Sequence, residues 1–155
     1  MDVKFVNPFI EAFGHVMGQL GFGKASHGAL SVKERQITCS GIILVIGITG
    51  DLKGNIVYVI DAENAKKIAS TMMMGMPVNE LDEMSKSSLS ELSNMLSANA
   101  ATFFSKIGVL IDISTPTLFH GEGIEVTMSS DKVLCIPLLA NGIPVEANIS
   151  FDKAR

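Results

Sequence analysis

An unbroken apolar segment in the first third of the chain constrains the fold more than any other feature. The run from Gly41 to Thr49 is rich in β-branched side chains and carries no charge, which is typical of a strand buried on both faces. Turn residues follow at 50–54, and Asn55 to Ile60 forms a second apolar run. The pattern predicts a β-hairpin whose first strand lies inside the fold.

Hydrophobic periodicity predicts the remaining elements. Helices are expected at 8–20, 62–74 and 81–107, the first capped by Asn7, the third by Asn79. Residues 24–30 are expected to form a loop. Further strands are expected at 31–38, 109–114, 123–129, 133–138 and 145–151, with Asn141-Gly142 as a hairpin turn. This order predicts an α+β fold, a mainly antiparallel sheet packed with long helices.

Length and charge narrow the classes of protein that the chain can belong to. At 155 residues it is expected to form a single domain over 1–155. A formal net charge of −4 argues against nucleic acid or an anionic membrane as the partner. With neither a signal peptide nor a membrane-spanning segment recognisable, we expect a cytoplasmic protein. Cys39 and Cys135 are then expected to be buried, reduced thiols.

Most catalytic motifs are missing from the sequence. It contains no phosphate-binding glycine loop, no serine-hydrolase elbow and no zinc-hydrolase motif. The three histidines, His15, His27 and His120, are isolated from one another along the chain. We therefore expect no metal site and no cofactor in the protein itself.

The long third helix has an unusual outward face. At about 100° per residue, Leu89, Leu92, Leu96 and Phe103 share one stripe, which is expected to face the sheet. The opposite stripe carries Ser87, Glu91, Asn94 and Ala98. Its small residues would let the backbone of another protein approach closely. A glutamate and an asparagine three residues apart also occur on many solvated helices, so the stripe alone leaves both interpretations open.

A resemblance to a known family favours the functional interpretation. One spacing pattern resembles the signature of the CheC/CheX/FliY family of chemotaxis phosphatases. In it, three residues separate Ser87 from Glu91, two separate Glu91 from Asn94, and Pro116 follows after the next strand. The segment 45–54 and the methionine-rich segment 72–76 resemble the CheX branch. A second Glu-Asn motif, which the CheC branch can carry on its first helix, is absent because Glu11 is followed by Gly14. The resemblance therefore implies one active face per chain.

The resemblance also implies a substrate and site roles. The substrate would be the phospho-aspartate of a CheY-like response regulator in chemotaxis or another two-component circuit, with Mg²⁺ bound to the regulator. Asn94 would orient the attacking water and Glu91 would anchor the regulator's lysine, with Ser87 and Ala98 bordering the contact. A homodimer formed by joining sheet edges is implied, and the terminal strands are the candidate joint. The alternative is a non-catalytic regulator-binding or flagellar-switch module of the same fold.

Overall fold

The computed structural model describes residues 3–153. After a short 3₁₀ turn, helices and strands follow in the order predicted for the α+β class. They are α1 (Asn7–Gln19), β1 (Ala25–His27), β2 (Ser31–Lys33), β3 (Gln36–Gly50), β4 (Leu52–Ile60), α2 (Ala62–Met72), α3 (Glu83–Lys106), β5 (Ile111–Ile113), β6 (Thr117–Thr127), β7 (Val133–Ala140) and β8 (Ile143–Lys153).

All eight strands belong to one sheet, in the order β1-β7-β8-β4-β3-β5, with β2 also paired to β7 and β6 to β3. Every pairing is antiparallel. The predicted turn at Asn141-Gly142 joins β7 to β8, and both residues have positive φ, at 49° and 82°, as a type I′ hairpin turn requires. The predicted antiparallel α+β fold is confirmed.

The apolar run at 41–49 is part of a longer strand than predicted. Strand β3 continues upstream to Gln36, so the strand predicted at 31–38 is divided between β2 and β3. A bulge near Gly41 connects the two halves of β3. Gly41 has φ of 102°, and a Cβ there would lie 2.3 Å from the carbonyl oxygen of Ile60. A glycine at this bend allows both the close approach and the positive φ.

Three predictions about local structure were wrong. The segment predicted as a loop at 24–30 contains β1, which forms through its pairing with β7. Helix α3 is capped by Asp82 and not by Asn79. The Asp82 carboxylate accepts hydrogen bonds from the Ser85 backbone NH at 2.9 Å and the Ser85 hydroxyl at 2.8 Å. Asn7 is likewise the first residue of α1 and not its cap, since Val6 occupies the capping position.

The sheet buries apolar side chains on both faces. The three helices cover one face and form the main core with the sheet. A smaller core on the other face combines the first half of β3 with residues of β4 and β7 and with the residue that follows β6. Its members are Ile37, Cys39, Ile43, Val57, Met128 and Val133. The strand buried on both faces is thereby confirmed. Cys39 and Cys135 are both buried and are not joined by a disulfide, and the Cys135 thiol donates a hydrogen bond to Glu146 at 3.2 Å. The predicted burial of both thiols is confirmed.

The edges of the sheet differ from those expected. The last strand, β8, lies between β7 and β4, so both of its edges are already hydrogen-bonded and it cannot join two subunits. The prediction that the last strand could form the dimer joint was therefore wrong. Strand β6 pairs with β3 and has no second strand partner among residues 3–153. Within the same range, no helix combines the length and apolar character needed to cross a membrane.

Candidate active site

Helix α3 is held rigidly against the sheet by its apolar stripe. Leu89, Leu92 and Leu96 are fully buried in the main core, as predicted. Phe104 is also buried, with its ring edge-on to that of Phe9 at 5.4 Å between centroids. Phe103, which was predicted to face the sheet, is only half-buried because Phe104 occupies that direction. Packing against α1, α2 and the sheet makes α3 a firm support for functional side chains.

The opposite stripe of α3 faces outward as predicted. Ser87, Glu91 and Ala98 are exposed, and Asn94 is half-buried. The side chains of Glu91 and Asn94 form no hydrogen bond or ion pair with any residue in the range 3–153. Neither side chain is needed to complete the fold, so both are available to bind another molecule.

Glu91 and Asn94 open into a groove of about 540 Å³ between α3 and the start of β6. The lining residues are Glu83, Lys86, Ser87, Ser90, Glu91, Asn94, Thr115, Pro116 and Leu118. The structure therefore brings together Ser87, Glu91, Asn94 and Pro116, which the sequence singled out. Ala98 lies on the same helix face but outside the lining.

A turn between β5 and β6 places Pro116 opposite α3. The Ser114 hydroxyl accepts a hydrogen bond from the Gly47 backbone NH at 2.8 Å and donates one to the Thr115 carbonyl at 3.1 Å. The Ser114 backbone NH donates to the Gly47 carbonyl at 3.0 Å. These contacts tie the turn to β3 near its C-terminal end, so the groove wall formed by Thr115 and Pro116 is fixed relative to the sheet.

Some lining residues had not been predicted. Lys86 and Ser90 stand eight and four residues before Asn94, and this i, i+4 spacing could have identified them as neighbours on the helix surface. Thr115 and Leu118 come from a distant part of the chain. No local pattern indicates which helix they face, and Pro116 entered the prediction only through the family resemblance.

The groove has a polar lining that includes one amide side chain, that of Asn94. It offers two carboxylates, an ammonium group, an amide and several hydroxyls, and its lining has no cysteine or histidine to make a nucleophile. Residues 3–153 contain no group of three or more His, Cys, Asp or Glu side chains arranged to hold a metal ion. The arrangement suits the binding of another protein's reactive group and the orientation of a water molecule beside it.

Comparisons with known proteins identify the class of fold. A CheX from Desulfovibrio desulfuricans superposes with a TM-score of 0.84 at 22% identity, covering 96% of this chain and 99% of the other. The CheX–CheY–BeF₃–Mg²⁺ complex from Borrelia burgdorferi superposes with a TM-score of 0.80 at 23% identity, covering 96% and 98%. The fold is thus the one found in CheX proteins.

Sequence similarity identifies the family. Residues 42–139 match the family model described as chemotaxis phosphatase CheX. The CheY-P phosphatase CheX of Thermotoga maritima is 32% identical over 139 residues, covering 89% of this chain and 88% of the relative. The chain belongs to the CheX family of chemotaxis phosphatases, and the predicted phosphatase class is confirmed.

Proposed function

We propose that this phosphatase hydrolyses the phospho-aspartate of a CheY-like response regulator, with Asn94 orienting the attacking water and Glu91 anchoring the regulator. The observation that carries the proposal is the placement of Glu91 and Asn94, one helical turn apart and without hydrogen-bond partners in the described chain, at the mouth of one groove. A relative named a CheY-P phosphatase and a fold neighbour crystallised with CheY, BeF₃ and Mg²⁺ support the choice of substrate.

An acyl phosphate needs little from a phosphatase beyond a well-placed water. The regulator supplies Mg²⁺ and a lysine around the phosphoryl group, which neutralise its charge before the phosphatase docks. Water attacks phosphorus in line, the new P–O bond forms as the acyl P–O bond breaks, and the regulator's carboxylate leaves. The protons of the water remain with the inorganic phosphate and the surrounding solvent.

Asn94 is suited to directing this water. Its side-chain carbonyl oxygen accepts a hydrogen bond from the water without adding negative charge near the phosphoryl group. Half-burial in the groove wall restricts the side chain, so that less orientational freedom is lost on docking. A carboxylate in the same place would be repelled by the phosphoryl oxygens.

Glu91 is suited to a different task. It lies about 4.5 Å further back along the helix axis and is exposed, so a regulator lysine can reach it. The resulting ion pair would fix how deeply Asn94 enters the regulator's site. Loss of Glu91 should therefore weaken both binding and turnover.

We also propose that the protein works as a cytoplasmic homodimer joined through β6. This strand presents eleven residues and an outer edge without a strand partner in the described chain, which is the kind of edge that pairs with another chain. Phe119, 45% exposed on β6, would lie at the joint. The active groove of each subunit would then be complete in itself.

The test is decay of a phosphorylated CheY-like regulator in Mg²⁺ with the wild-type protein and three variants. Asn94→Ala should lower kcat by about 10²- to 10³-fold while binding to the BeF₃-loaded regulator changes little. Glu91→Ala should weaken binding and turnover together. Asn99→Ala is the matched control, since Asn99 lies on α3 but donates to the Met95 carbonyl within the helix.

Two results would contradict the proposal. Unchanged turnover in Asn94→Ala would remove the role of the amide. Binding of the regulator without accelerated decay by the wild-type protein would favour the non-catalytic regulator-binding module.

A further inference from the structure

Lys86 is the basic side chain among the described residues that line the active groove. Two carboxylates, those of Glu83 and Glu91, share the same lining. Without Lys86 the charged side chains of the lining would all be negative, so this lysine changes the charge balance of the docking surface.

Among residues 3–153, Lys86 has no hydrogen bond or close ion pair, and it interacts with Asp82, one turn earlier on α3, through charge alone. Lys33 and Lys66 form ion pairs with Glu146 at 2.9 Å and Glu63 at 3.0 Å. Lys86 is half-buried, yet its ammonium group forms no hydrogen bond or ion pair within that range. The nearby Asp82 carboxylate accepts both capping bonds from Ser85 through its Oδ1 atom and attracts Lys86 without a direct contact. Lys86 thus keeps its donors available in the groove.

Helix geometry separates Lys86 from the reacting centre. It lies about 12 Å before Asn94 along the axis and about 80° around it. When Asn94 enters the regulator's site, the Lys86 ammonium group would meet the surface beside that site and not the phosphoryl group. Glu91 lies between them along the axis and Glu83 lies before Lys86, so the groove presents one positive charge between two negative charges in fixed order.

We infer that Lys86 is a second charged anchor, which pairs with a carboxylate on the regulator's surface beside the phosphorylation site. The inference rests on the proposed function and extends it to partner selection. A regulator that presents a carboxylate and a lysine in the complementary order satisfies Lys86 and Glu91 together. One with the opposite order meets like charges at both positions and is rejected.

The test is steady-state dephosphorylation by Lys86→Gln, Lys86→Glu and Lys86→Arg. We expect kcat/KM to fall about fivefold to tenfold in Lys86→Gln and about 30-fold in Lys86→Glu, with kcat at saturation within about twofold of wild type. Lys86→Arg should keep most of the wild-type kcat/KM. The difference between wild type and Lys86→Gln should shrink as salt is added, because an interfacial ion pair is screened.

Lys67→Glu is the matched control, since Lys67 is an exposed lysine on the neighbouring helix α2 and outside the groove. Equal kcat/KM for Lys86→Glu and Lys67→Glu, at equal thermal stability, would overturn the inference. Asn94→Ala, measured in the same assay, reports on the proposed function separately. Lost turnover in Asn94→Ala with no effect at Lys86 refutes only the second anchor, whereas absence of turnover in the wild type refutes both proposals.

Discussion

Tyr58 lies beneath the helix that carries the active groove, and its ionisation should destabilise the fold. It is 3% exposed on β4, within the main core. Burial raises the pKa of Tyr58 to about 12, and the nearby Ser97 hydroxyl of α3 opposes this only in part. Ser97 completes no hydrogen bond of good geometry with a described residue, so it offers a phenolate little compensation.

The size of the effect follows from the difference between the folded and unfolded states. An unfolded tyrosine ionises with its ordinary pKa of 10.0, against about 12 in the folded protein. The raised pKa means that the folded state holds its proton more tightly. The contribution of Tyr58 to the free energy of unfolding is therefore fully present below about pH 10 and is lost between about pH 10 and 12. The loss is about 1.4 kcal/mol for each pH unit, or about 2.7 kcal/mol in all.

The assay compares urea unfolding of the wild type and Tyr58→Phe between about pH 9 and 12. Both proteins share the titration of their lysines, so the difference between their unfolding free energies isolates Tyr58. The chain has one tyrosine and no tryptophan, so ultraviolet absorbance also reports this single ionisation directly. Parallel loss of stability in the two proteins, or phenolate formation near pH 10 in the folded wild type, would refute the reasoning.

Two further predictions concern the glycines and the thiols. Gly41→Ala should lower the free energy of unfolding by about 2 kcal/mol or more, because φ is 102° and the new Cβ would meet the Ile60 carbonyl. Gly14→Ala, in the interior of α1 with open space around the residue, should raise the free energy of unfolding by about 0.5–1 kcal/mol. Equal effects of the two substitutions in urea unfolding would contradict this contrast. Burial, and then the nearby Glu146 carboxylate, raises the pKa of the Cys39 and Cys135 thiols, so iodoacetamide should alkylate them at least about 100-fold faster in urea than in the folded protein. Rapid labelling of either thiol without denaturant would show that the sheet face above it is open.

Local patterns in the sequence determined most of the secondary structure. The apolar stripe of Leu89, Leu92 and Leu96 predicted both the helix and the face that it buries, because helical periodicity is a property of neighbouring residues. The uncharged run at 41–49 and the Asn141-Gly142 turn are local in the same sense. Glu91 and Asn94 could therefore be placed together on an outward face before the fold was known, although their significance came from the family resemblance.

Tertiary structure decided how distant segments meet. Thr115 and Leu118 face α3 because the Ser114 turn is bonded to Gly47, a contact between segments far apart in the chain. The position of β8 between β7 and β4, which corrected the expected dimer joint, also depends on strand order. A strand's own sequence specifies which face it buries but not which neighbours it pairs with, since backbone hydrogen bonding is the same for every residue except proline.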